Sequence, residues 1–417
     1  MFALTSSALA TACRRSLSTA APALASLYNP TEEHELLRQT VRAFADSEVR
    51  PQALEHNREE KFNLELFRRL GSELGLLGIT VPEEYGGSGM DAVGAVIAHE
   101  ELSAADPAFT LSYLAHSMLF VNNLAVNGSH EQKLKYLPKA CSGEFVCGMG
   151  MSEPAVGTDV LNLTTTARAN DDGSWTLNGA KMWITNGTVS KDRELGDAFL
   201  VYARTAEGPK GISLFLVDKG MPGFEPGAKI EDKLGMRASS TSGLVFEDVV
   251  VPADALVGEV NGATLCMMRN LEIERLTLAA MSLGIARRSI EVMNNYSTER
   301  MAYGKPLREH GQMKAHLANS YAEYMAGRAY TYEVASRLEL DSYGNQLDTD
   351  GVKLFAADMA KDVADRAIQV LGGYGYVGEY EVERLYRDAR LISIGGGTNE
   401  AHQNNMSKVM ARIQQFE

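Results

Sequence analysis

The stretch Ser174–Gly187 reads SWTLNGAKMWITNG and separates two long helical regions of the chain. It contains β-branched and aromatic residues on both sides of a central Asn178-Gly179 pair. β-branched and aromatic residues favour strands, and Asn-Gly favours the positive φ angles of a tight hairpin turn. The pattern therefore predicts a β-hairpin with its turn at Asn178-Gly179.

Further strand-like segments follow this stretch. They are rich in Val, Ile, Phe and Leu and are separated by Gly and Pro: Ala198–Ala203, Ile212–Val217 and Leu244–Val251. Short apolar runs bounded by turn residues are typical of buried strands. We therefore expect a β domain over residues 151–260.

Helical patterns flank this β domain on both sides. Apolar residues recur at helical spacing before it, in Glu32–Leu54, Phe67–Leu77, Ala92–Ala104 and Leu111–Leu124. They recur after it, in Thr264–Arg300, His310–Leu338 and Asp350–Leu371. Spacing of three and four residues aligns side chains on one helix face. The sequence therefore predicts a mainly α fold with a central β domain, in which an N-terminal α domain covers 27–150 and a C-terminal helical bundle covers 261–417.

Composition excludes several classes of protein. Hydrophobic residues make up 45% and charged residues 23% of the 417 residues, and the formal net charge is -14. An acidic chain is a poor partner for a phosphate backbone, so we expect no nucleic-acid binding. No run approaches the roughly 18 apolar residues of a membrane span, so we expect no integral membrane segment. The four cysteines are too few and too scattered for a disulfide framework, which fits a reducing compartment.

The N-terminus has the composition of a targeting segment. The first 31 residues contain no Asp or Glu, and they hold Arg14 and Arg15 among many Ser, Thr and Ala. Basic, acid-poor segments are typical of mitochondrial transit peptides, whereas a secretory signal would need a longer apolar region. We predict a transit peptide over residues 1–26 and a location in the mitochondrial matrix. A plain disordered N-terminus is the alternative.

Other functional motifs find little support. Gly373–Gly378 matches the G-x-G-x-x-G pattern, but that fingerprint requires a preceding strand, and here a helical pattern precedes it. Cys141 and Cys147 lack the partner pair of a zinc site, and the eight His residues form no helical metal pair. We therefore expect neither a Rossmann domain nor a metal ion. A Ser-His-Asp triad stays open, although no nucleophile-elbow pattern supports one.

Glu274 interrupts an apolar helix face. At offsets of three, four and seven it shares this face with Met267, Leu271, Leu278 and Met281. Burial of a carboxyl raises its pKa toward neutrality, which suits a general base. Most Glu residues on helices face solvent, and an ordinary surface ladder of Arg269, Glu272 and Arg275 is the alternative interpretation. Spacing alone leaves Glu274 a candidate.

The segment Met151–Asp159 is a turn-rich joint between the helical and β regions. The hydroxyls of Ser152 and Thr158, together with backbone N–H groups, are suited to binding a pyrophosphate group. A simple domain linker is the alternative.

Several motifs, in this order, resemble those of the acyl-CoA dehydrogenase family from about residue 30 to 412. They are Tyr85–Gly89, Met151–Pro154 with Gly157–Asp159, Asn178–Gly187, Lys233–Arg237, Phe246–Asp248, Gln369–Tyr376 and Arg387–Arg390. Each motif alone is weak evidence for the family. The resemblance rests on the presence of all of them in the family's order. It implies an N-terminal α domain, a β-barrel-like middle domain and a C-terminal four-helix bundle. FAD would lie between the β domain and the bundle, in a homotetramer.

The resemblance also implies roles for individual residues. FAD would be contacted within one subunit by Met149, Met151, Ser152, Thr158, Trp183 and Thr185. The FAD of a neighbouring subunit would be reached by Arg300 and Tyr303, and its adenosine end would be held by Gln369, Gly372 and Gly373. Thr398 and Glu400 match the cofactor-binding positions that follow the active-site turn.

The family places its catalytic base at one of two positions. Most members carry Glu immediately before a Gly-Thr pair near the C-terminus, and this chain has Gly396 there. A minority, which acts on isovaleryl-CoA or long-chain acyl-CoA, carries the Glu just before an Arg on the first helix of the bundle. Glu274-Arg275 matches that second position. The resemblance therefore implies that Glu274 is the base.

The implied reaction is α,β-dehydrogenation of an acyl-CoA. Glu274 would remove the α proton while the β hydrogen leaves as a hydride to the flavin. The N–H of Gly396 would help polarise the thioester carbonyl beside Gly395, and Arg275 would orient the substrate or its CoA moiety. The electrons would then pass to electron-transfer flavoprotein.

The resemblance favours a short branched substrate. The runs Lys233–Arg237, Gly220–Phe224 and Leu271–Arg275 resemble the branch that converts isovaleryl-CoA to 3-methylcrotonyl-CoA in leucine catabolism. Glycines at 395 and 396 would leave width for a branched acyl group. Because Gly397–Glu400 also resembles the long-chain branch, a long-chain or other acyl-CoA stays an alternative.

Two departures from the family pattern concern FAD binding. The chain reads His310-Gly311-Gln312 where an aromatic-Gln pair is common, and Ala401-His402-Gln403 where Arg is common. They keep open a second class of protein, a catalytically weak homologue that serves as a structural or assembly subunit of a mitochondrial complex. An acyl-CoA oxidase fits less well, because the chain does not end in Ser-Lys-Leu.

Overall fold

The computed structural model describes residues 26–413, so all but the last residue of the predicted transit peptide lies outside the described residues. Within that range a helical region is followed by a sheet and then by a second helical region. The predicted order of a helical, a sheet and a helical domain is confirmed, whereas the domain limits at 150 and 260 stay a prediction.

The first helical region carries seven α-helices. They are α1 (Glu32–Phe44), α2 (Arg50–Glu59), α3 (Leu64–Ser72), α4 (Ala92–Ala105), α5 (Pro107–Leu114), α6 (Asn123–Asn127) and α7 (His130–Ser142). Two π-helical segments, Ala45–Val49 and Ala115–Asn122, continue α1 and α5. The N-cap residues Thr31, Asn63, Asp91, Asp106 and Ser129 accept hydrogen bonds from backbone N–H groups of the first turn, which fixes where these helices begin.

The middle region forms a sheet of eight strands among the described residues. They are β1 (Cys147–Gly150), β2 (Thr166–Ala169), β3 (Trp175–Thr185), β4 (Ala198–Arg204), β5 (Ile212–Asp218), β6 (Phe224–Lys229), β7 (Thr241–Val251) and β8 (Leu256–Val257). Their order is β6-β7-β3-β2-β4-β5-β8, and β1 pairs with β4 in parallel. Strands β4 and β5 are buried along nearly their whole length, so they form the centre of the sheet domain.

The predicted hairpin at Asn178-Gly179 is wrong. Strand β3 runs through both residues and pairs with β2 on one side and β7 on the other. The register shifts between Leu177 and Gly179, which marks a bulge. Gly179 has φ +142, and a Cβ there would lie 2.7 Å from Thr165. The pair therefore permits a bulge and a close backbone approach instead of a turn.

The C-terminal region is built around one long helix. Helix α8 (Ala263–Glu299) is followed by the short strands β9 (Met301–Ala302) and β10 (Lys305–Pro306), and then by α9 (Gly311–Arg337), α10 (Gln346–Leu371), α11 (Val382–Ile392) and α12 (Asn399–Met410). The ends of α8, α9 and α10 agree with the sequence prediction within four residues. Gly373–Gly378 lies in short 3-10 turns after α10, so it does not form a Rossmann turn.

Helix α8 joins the two helical regions. It packs against α10 and α9 within the bundle and against α4 of the first region. A Cβ at Gly284 would lie 2.5 Å from the carbonyl oxygen of Glu100, so only glycine permits this approach of α8 to α4. Contacts with both helical regions therefore fix the position of α8.

Two features are absent from residues 26–413. No helix there combines the length and apolar character needed to cross a membrane. Across the same residues, no group of three or more His, Cys, Asp or Glu side chains is arranged to hold a metal ion.

Candidate active site

A cavity of about 1290 Å³ lies between the sheet and the C-terminal helices. Its wall combines the loop after β1, the bulged part of β3, helix α8, and the turn between α11 and α12. Apolar side chains of α5 and the following π-helical segment contribute Leu111, Leu114, Ala115 and Leu119. Pockets for single small ligands measure roughly 300–1,000 Å³. This cavity is therefore larger than a pocket for a single small ligand.

Glu274 lies in this wall and is only 7% exposed. Its neighbours Met267, Leu278 and Met281 are buried as well, which confirms the apolar face. Burial raises the pKa of Glu274 to about 7, against the opposing effect of Arg275. Its Oε2 has no hydrogen-bond partner among the described residues. A carboxyl group in this state can accept a proton at neutral pH.

The alternative surface ladder is wrong. Glu272 is buried and accepts hydrogen bonds from the backbone N–H groups of Gly344 and Asn345, at 3.1 Å each. Arg269 donates to the side chain of Asn127 at 3.0 Å. Neither side chain pairs with Arg275, so this face of α8 is part of the protein interior.

The turn Gly395–Gly397 lies opposite Glu274. Gly396 has φ +64, and a Cβ built there would lie 2.2 Å from Leu278 Cδ1 and 3.5 Å from Glu274 Oε1. A side chain at position 396 would therefore require the Leu278 side chain to move. The backbone N–H of Gly396 makes no hydrogen bond with another described residue. It is available as a donor for a carbonyl group in the cavity.

Arg275 lines the cavity, but its charge is already matched. Its Nη1 lies 2.9 Å from Asp350 Oδ1, and Asp350 Oδ1 also lies 2.6 Å from His402 Nδ1. Asp350 and His402 are fully buried. Arg275 is therefore held by α10, which limits how far it can turn toward a ligand.

The segment that begins at Met151 is anchored by a buried ion pair. Lys181 Nζ lies 2.8 Å from Glu153 Oε1 and donates to the carbonyl of Met151 at 3.2 Å. Glu153 also accepts from the backbone N–H groups of Thr164 and Thr165. Burial opposes the charged form of Glu153, yet Lys181 holds its pKa at about 2. These contacts anchor the loop at Met151 and Glu153, the residues on either side of Ser152.

Residues expected to bind FAD lie along the same cavity. The lining includes Met149, Met151, Ser152, Thr158, Trp183, Thr185 and Thr398. Trp183 is 59% exposed and has φ +66, an unusual conformation for a bulky residue. An exposed indole in a strained conformation at a cavity wall is typical of a ligand-covering residue. The hydroxyl donors and the aromatic wall fit an isoalloxazine ring and a pyrophosphate.

Six of the expected cofactor residues lie outside this cavity. They are Arg300, Tyr303, Gln369, Gly372, Gly373 and Glu400. Arg300 lines a separate pocket of about 420 Å³ with Tyr296 and Tyr374, and Tyr303 is 98% exposed. Their expected contacts involve a neighbouring subunit or the positions after the turn, so these roles stay a prediction.

Sequence reasoning missed three charged residues of the site. Asp350, Lys353 and Lys181 are buried next to the residues described above, and the sequence motifs predicted no role in the site for any of them. A signal was present for two of them, because Asp350 and Lys353 are charged residues in a largely apolar helical pattern, one turn apart.

Comparisons with known proteins agree with this fold and cavity. Family models match residues 31–144 as the acyl-CoA dehydrogenase N-terminal domain, 148–249 as the middle domain and 261–411 as the C-terminal domain. The mitochondrial isovaleryl-CoA dehydrogenase of Solanum tuberosum is 41% identical over 378 residues, which cover 90% of this chain and 89% of that protein.

Two solved structures are similar over nearly their whole length. The butyryl-CoA dehydrogenase from Megasphaera elsdenii has a TM-score of 0.87 and 34% identity, covering 92% of this chain and 99% of that one. A glutaryl-CoA dehydrogenase from Mycobacterium smegmatis, solved in complex with FADH2, has a TM-score of 0.85 and 29% identity, covering 93% and 96%.

The fold and its central cavity define a flavin-dependent oxidoreductase. The chain belongs to the acyl-CoA dehydrogenase family.

Proposed function

We propose that the protein removes two hydrogens across the α,β bond of a short branched acyl-CoA, with isovaleryl-CoA as substrate and 3-methylcrotonyl-CoA as product. The observation that carries this proposal is the Glu274 carboxyl group, which is buried, unpartnered at Oε2 and ionisable near pH 7. It faces a turn whose backbone conformation favours glycine. Arg300, Tyr303, Gln369, Gly372, Gly373 and Glu400 are proposed to complete the binding of FAD.

The chemistry of the site follows from these groups. Glu274 removes the α proton, and the Gly396 N–H polarises the thioester carbonyl so that this proton becomes acidic enough to leave. FAD, when bound, supplies the acceptor for the β hydrogen. Leu111, Leu114, Ala115 and Leu119 exclude water from the acyl chain.

The choice of isovaleryl-CoA rests on two supports. A relative named for that substrate is 41% identical to this chain. The glycines at 395 and 396 also remove side-chain bulk from the turn opposite Glu274. A straight short-chain substrate is the second candidate, because the similar solved structure from Megasphaera elsdenii is named for butyryl-CoA.

The remaining roles are proposed from the family and its relatives. Electrons pass to electron-transfer flavoprotein, and the protein acts as a homotetramer in the mitochondrial matrix as part of leucine catabolism. The relative from Solanum tuberosum is named mitochondrial, which supports this location.

An anaerobic titration tests the substrate. The purified flavoprotein is mixed with isovaleryl-, butyryl- or palmitoyl-CoA, and bleaching of the flavin absorbance is followed by stopped flow. We expect the fastest bleaching with isovaleryl-CoA. Faster bleaching with butyryl-CoA would select the straight-chain candidate, and no bleaching with any of the three would favour the non-catalytic homologue.

A further inference from the structure

Several ionisable side chains lie buried beneath the turn Gly395–Gly397. We call Arg275, Asp350, Lys353 and His402 the subturn cluster. Each is less than 9% exposed. Asp350 links Arg275 of α8 to His402 of α12, while Lys353 extends from α10 to the turn itself. Three helices thus place charges behind the residues that face the cavity.

Lys353 makes the contact nearest to the turn. Its side chain is fully buried, and Nζ donates a hydrogen bond to the carbonyl oxygen of Gly397 at 2.5 Å. His402 Nε2 lies 3.0 Å from the same oxygen. An isolated ammonium group in a protein interior is strongly unfavourable, so its presence requires compensating partners.

Glu274 is one of these partners. Burial lowers the pKa of Lys353 to about 8, and the negative charge of Glu274 acts in the opposite direction. Lys353 in turn favours the ionised form of Glu274, in the same sense as Arg275. The two side chains come from different helices and influence each other's charge.

We propose that Lys353 is a positioning residue for the proposed dehydrogenation: its ammonium group holds the Gly397 carbonyl, which keeps Gly396 beside Glu274, and its positive charge favours the ionised form of the Glu274 carboxylate. This inference rests on the proposed function of Glu274. Lys353 itself does not line the cavity, so it acts through the turn and through the base.

Other charged groups also act on Lys353 and must be considered in any pH experiment. Asp350 and Asp358 lie on its own helix and favour its charged form. Arg275, from α8, disfavours it. His402 faces it from α12, and burial lowers the pKa of that imidazole. Glu400, also on α12, lies within the electrostatic influence of Lys353.

The hold on the turn is tested without turnover. Amide hydrogen exchange of residues 394–399 is measured in the full flavoprotein for wild type, Lys353→Met and Lys353→Gln. We expect roughly tenfold faster exchange in Lys353→Met, because the carbonyl of Gly397 loses the hydrogen bond from the Lys353 ammonium group. Lys353→Gln keeps a donor, so its exchange stays closer to wild type. Equal exchange in wild type and Lys353→Met would overturn the anchoring role.

The effect on the base is tested by a pH profile. The rate of flavin bleaching by isovaleryl-CoA is measured from pH 5 to pH 9. Both neutral variants lose the charge that favours ionised Glu274, so the pH of half-maximal rate should rise by about one unit. In Lys353→Met, we also expect kcat to fall about tenfold to hundredfold, with little change in KM. A loss of rate that is equal at every pH would overturn the electrostatic role.

Lys361→Met is the matched control. Lys361 lies on the same helix, is partly exposed, and pairs only with Asp358 and Asp362 among the described residues. Its exchange and pH profile should equal those of wild type. If Lys353→Met does not fold, as judged by circular dichroism, Lys353→Gln decides the electrostatic part and Lys353→Ala, which also lacks a donor, decides the anchoring part. If wild type is not bleached by any thioester, the proposed function fails, and the exchange data still decide whether Lys353 holds the turn.

Discussion

The backbone of Gly396 lies beside the carboxylate of Glu274 and against the side chain of Leu278, with a φ of +64 that favours glycine. A Cβ on Gly396 would lie 3.5 Å from Glu274 Oε1 and 2.2 Å from Leu278 Cδ1. A side chain at position 396 would therefore require Leu278 to move, and its backbone would have to adopt a left-handed conformation that non-glycine residues rarely take.

The first prediction concerns the base. Glu274→Gln preserves the shape of the side chain but cannot accept the α proton. The rate of bleaching by isovaleryl-CoA should fall by at least about 10² to 10⁴. Glu291→Gln, on the partly exposed part of the same helix, should leave the rate unchanged. Isothermal titration should still detect binding of the acyl-CoA to Glu274→Gln. Rapid bleaching in that variant would remove Glu274 from the mechanism.

The second prediction concerns the turn. Gly396→Ala combines a positive φ with a collision against Leu278, and overpacking of this kind costs about 1–3 kcal/mol. Gly89 has the same φ of +64 and no atom within 4 Å of its Cβ, so Gly89→Ala measures the backbone cost alone. We expect a clearly lower Tm for Gly396→Ala than for Gly89→Ala.

A double variant separates the steric part of this effect. Leu278→Ala removes the methyl group that a Cβ at 396 would meet. In a double-mutant cycle, Leu278→Ala should therefore reduce the additional cost of Gly396→Ala. Additive effects of the two substitutions on Tm would contradict the collision.

The third prediction concerns pH. Burial raises the pKa of Glu274 to about 7, and the carboxyl group is a base only when ionised. The rate of flavin bleaching should therefore be low at pH 5, rise through pH 7 and level off above pH 8. Stopped-flow measurements at saturating isovaleryl-CoA give this profile. A rate that is already maximal at pH 5 would show that an ordinary exposed carboxylate acts instead.

The fourth prediction concerns the loop after β1. Lys181→Met leaves the buried Glu153 without its cation, and breaking a buried pair in this way costs about 3–5 kcal/mol. The variant should have a lower Tm and retain less FAD, measured as the ratio of flavin to protein absorbance after gel filtration. Lys191→Met, at an exposed lysine, is the control. Full FAD retention in Lys181→Met would show that the pair does not position this loop.

Adding Glu153→Gln to Lys181→Met tests the cause of the loss. It removes the unpaired charge, so part of the Tm loss should be recovered. A further decrease in Tm would instead assign the stability to the hydrogen bonds from Thr164 and Thr165.

The long helices could be predicted from the sequence because their signal is local. The predicted Thr264–Arg300 corresponds to Ala263–Glu299, and the apolar face around Glu274 is present as expected. When apolar residues recur at helical spacing over many residues, a single residue that breaks the pattern does not change the prediction of a helix. The burial of Glu274 required the packing of α8 against other elements, which spacing alone left undecided.

The hairpin prediction failed because Asn178-Gly179 is a strong local signal in a strand that continues through these residues to pair with β7, which is distant in sequence. Asn178 donates to Asp248 through its side chain and accepts from the Asp248 backbone N–H, across 70 residues. Pairing with β7 therefore outweighed the local turn preference. The contact made by Lys353 could not be predicted for a similar reason, because its hydrogen-bond partner Gly397 is 44 residues away.

The uninterrupted helix α8 fixes the phase between its two ends. Glu274 and Arg300 are 26 positions apart, about 39 Å at 1.5 Å per residue. Deleting one residue between them would turn everything beyond the deletion by about 100° while leaving Glu274 seated. An insertion or deletion in this helix would therefore change the orientation of Arg300 relative to Glu274, and it would displace the later helices that bring the turn Gly395–Gly397 to the cavity.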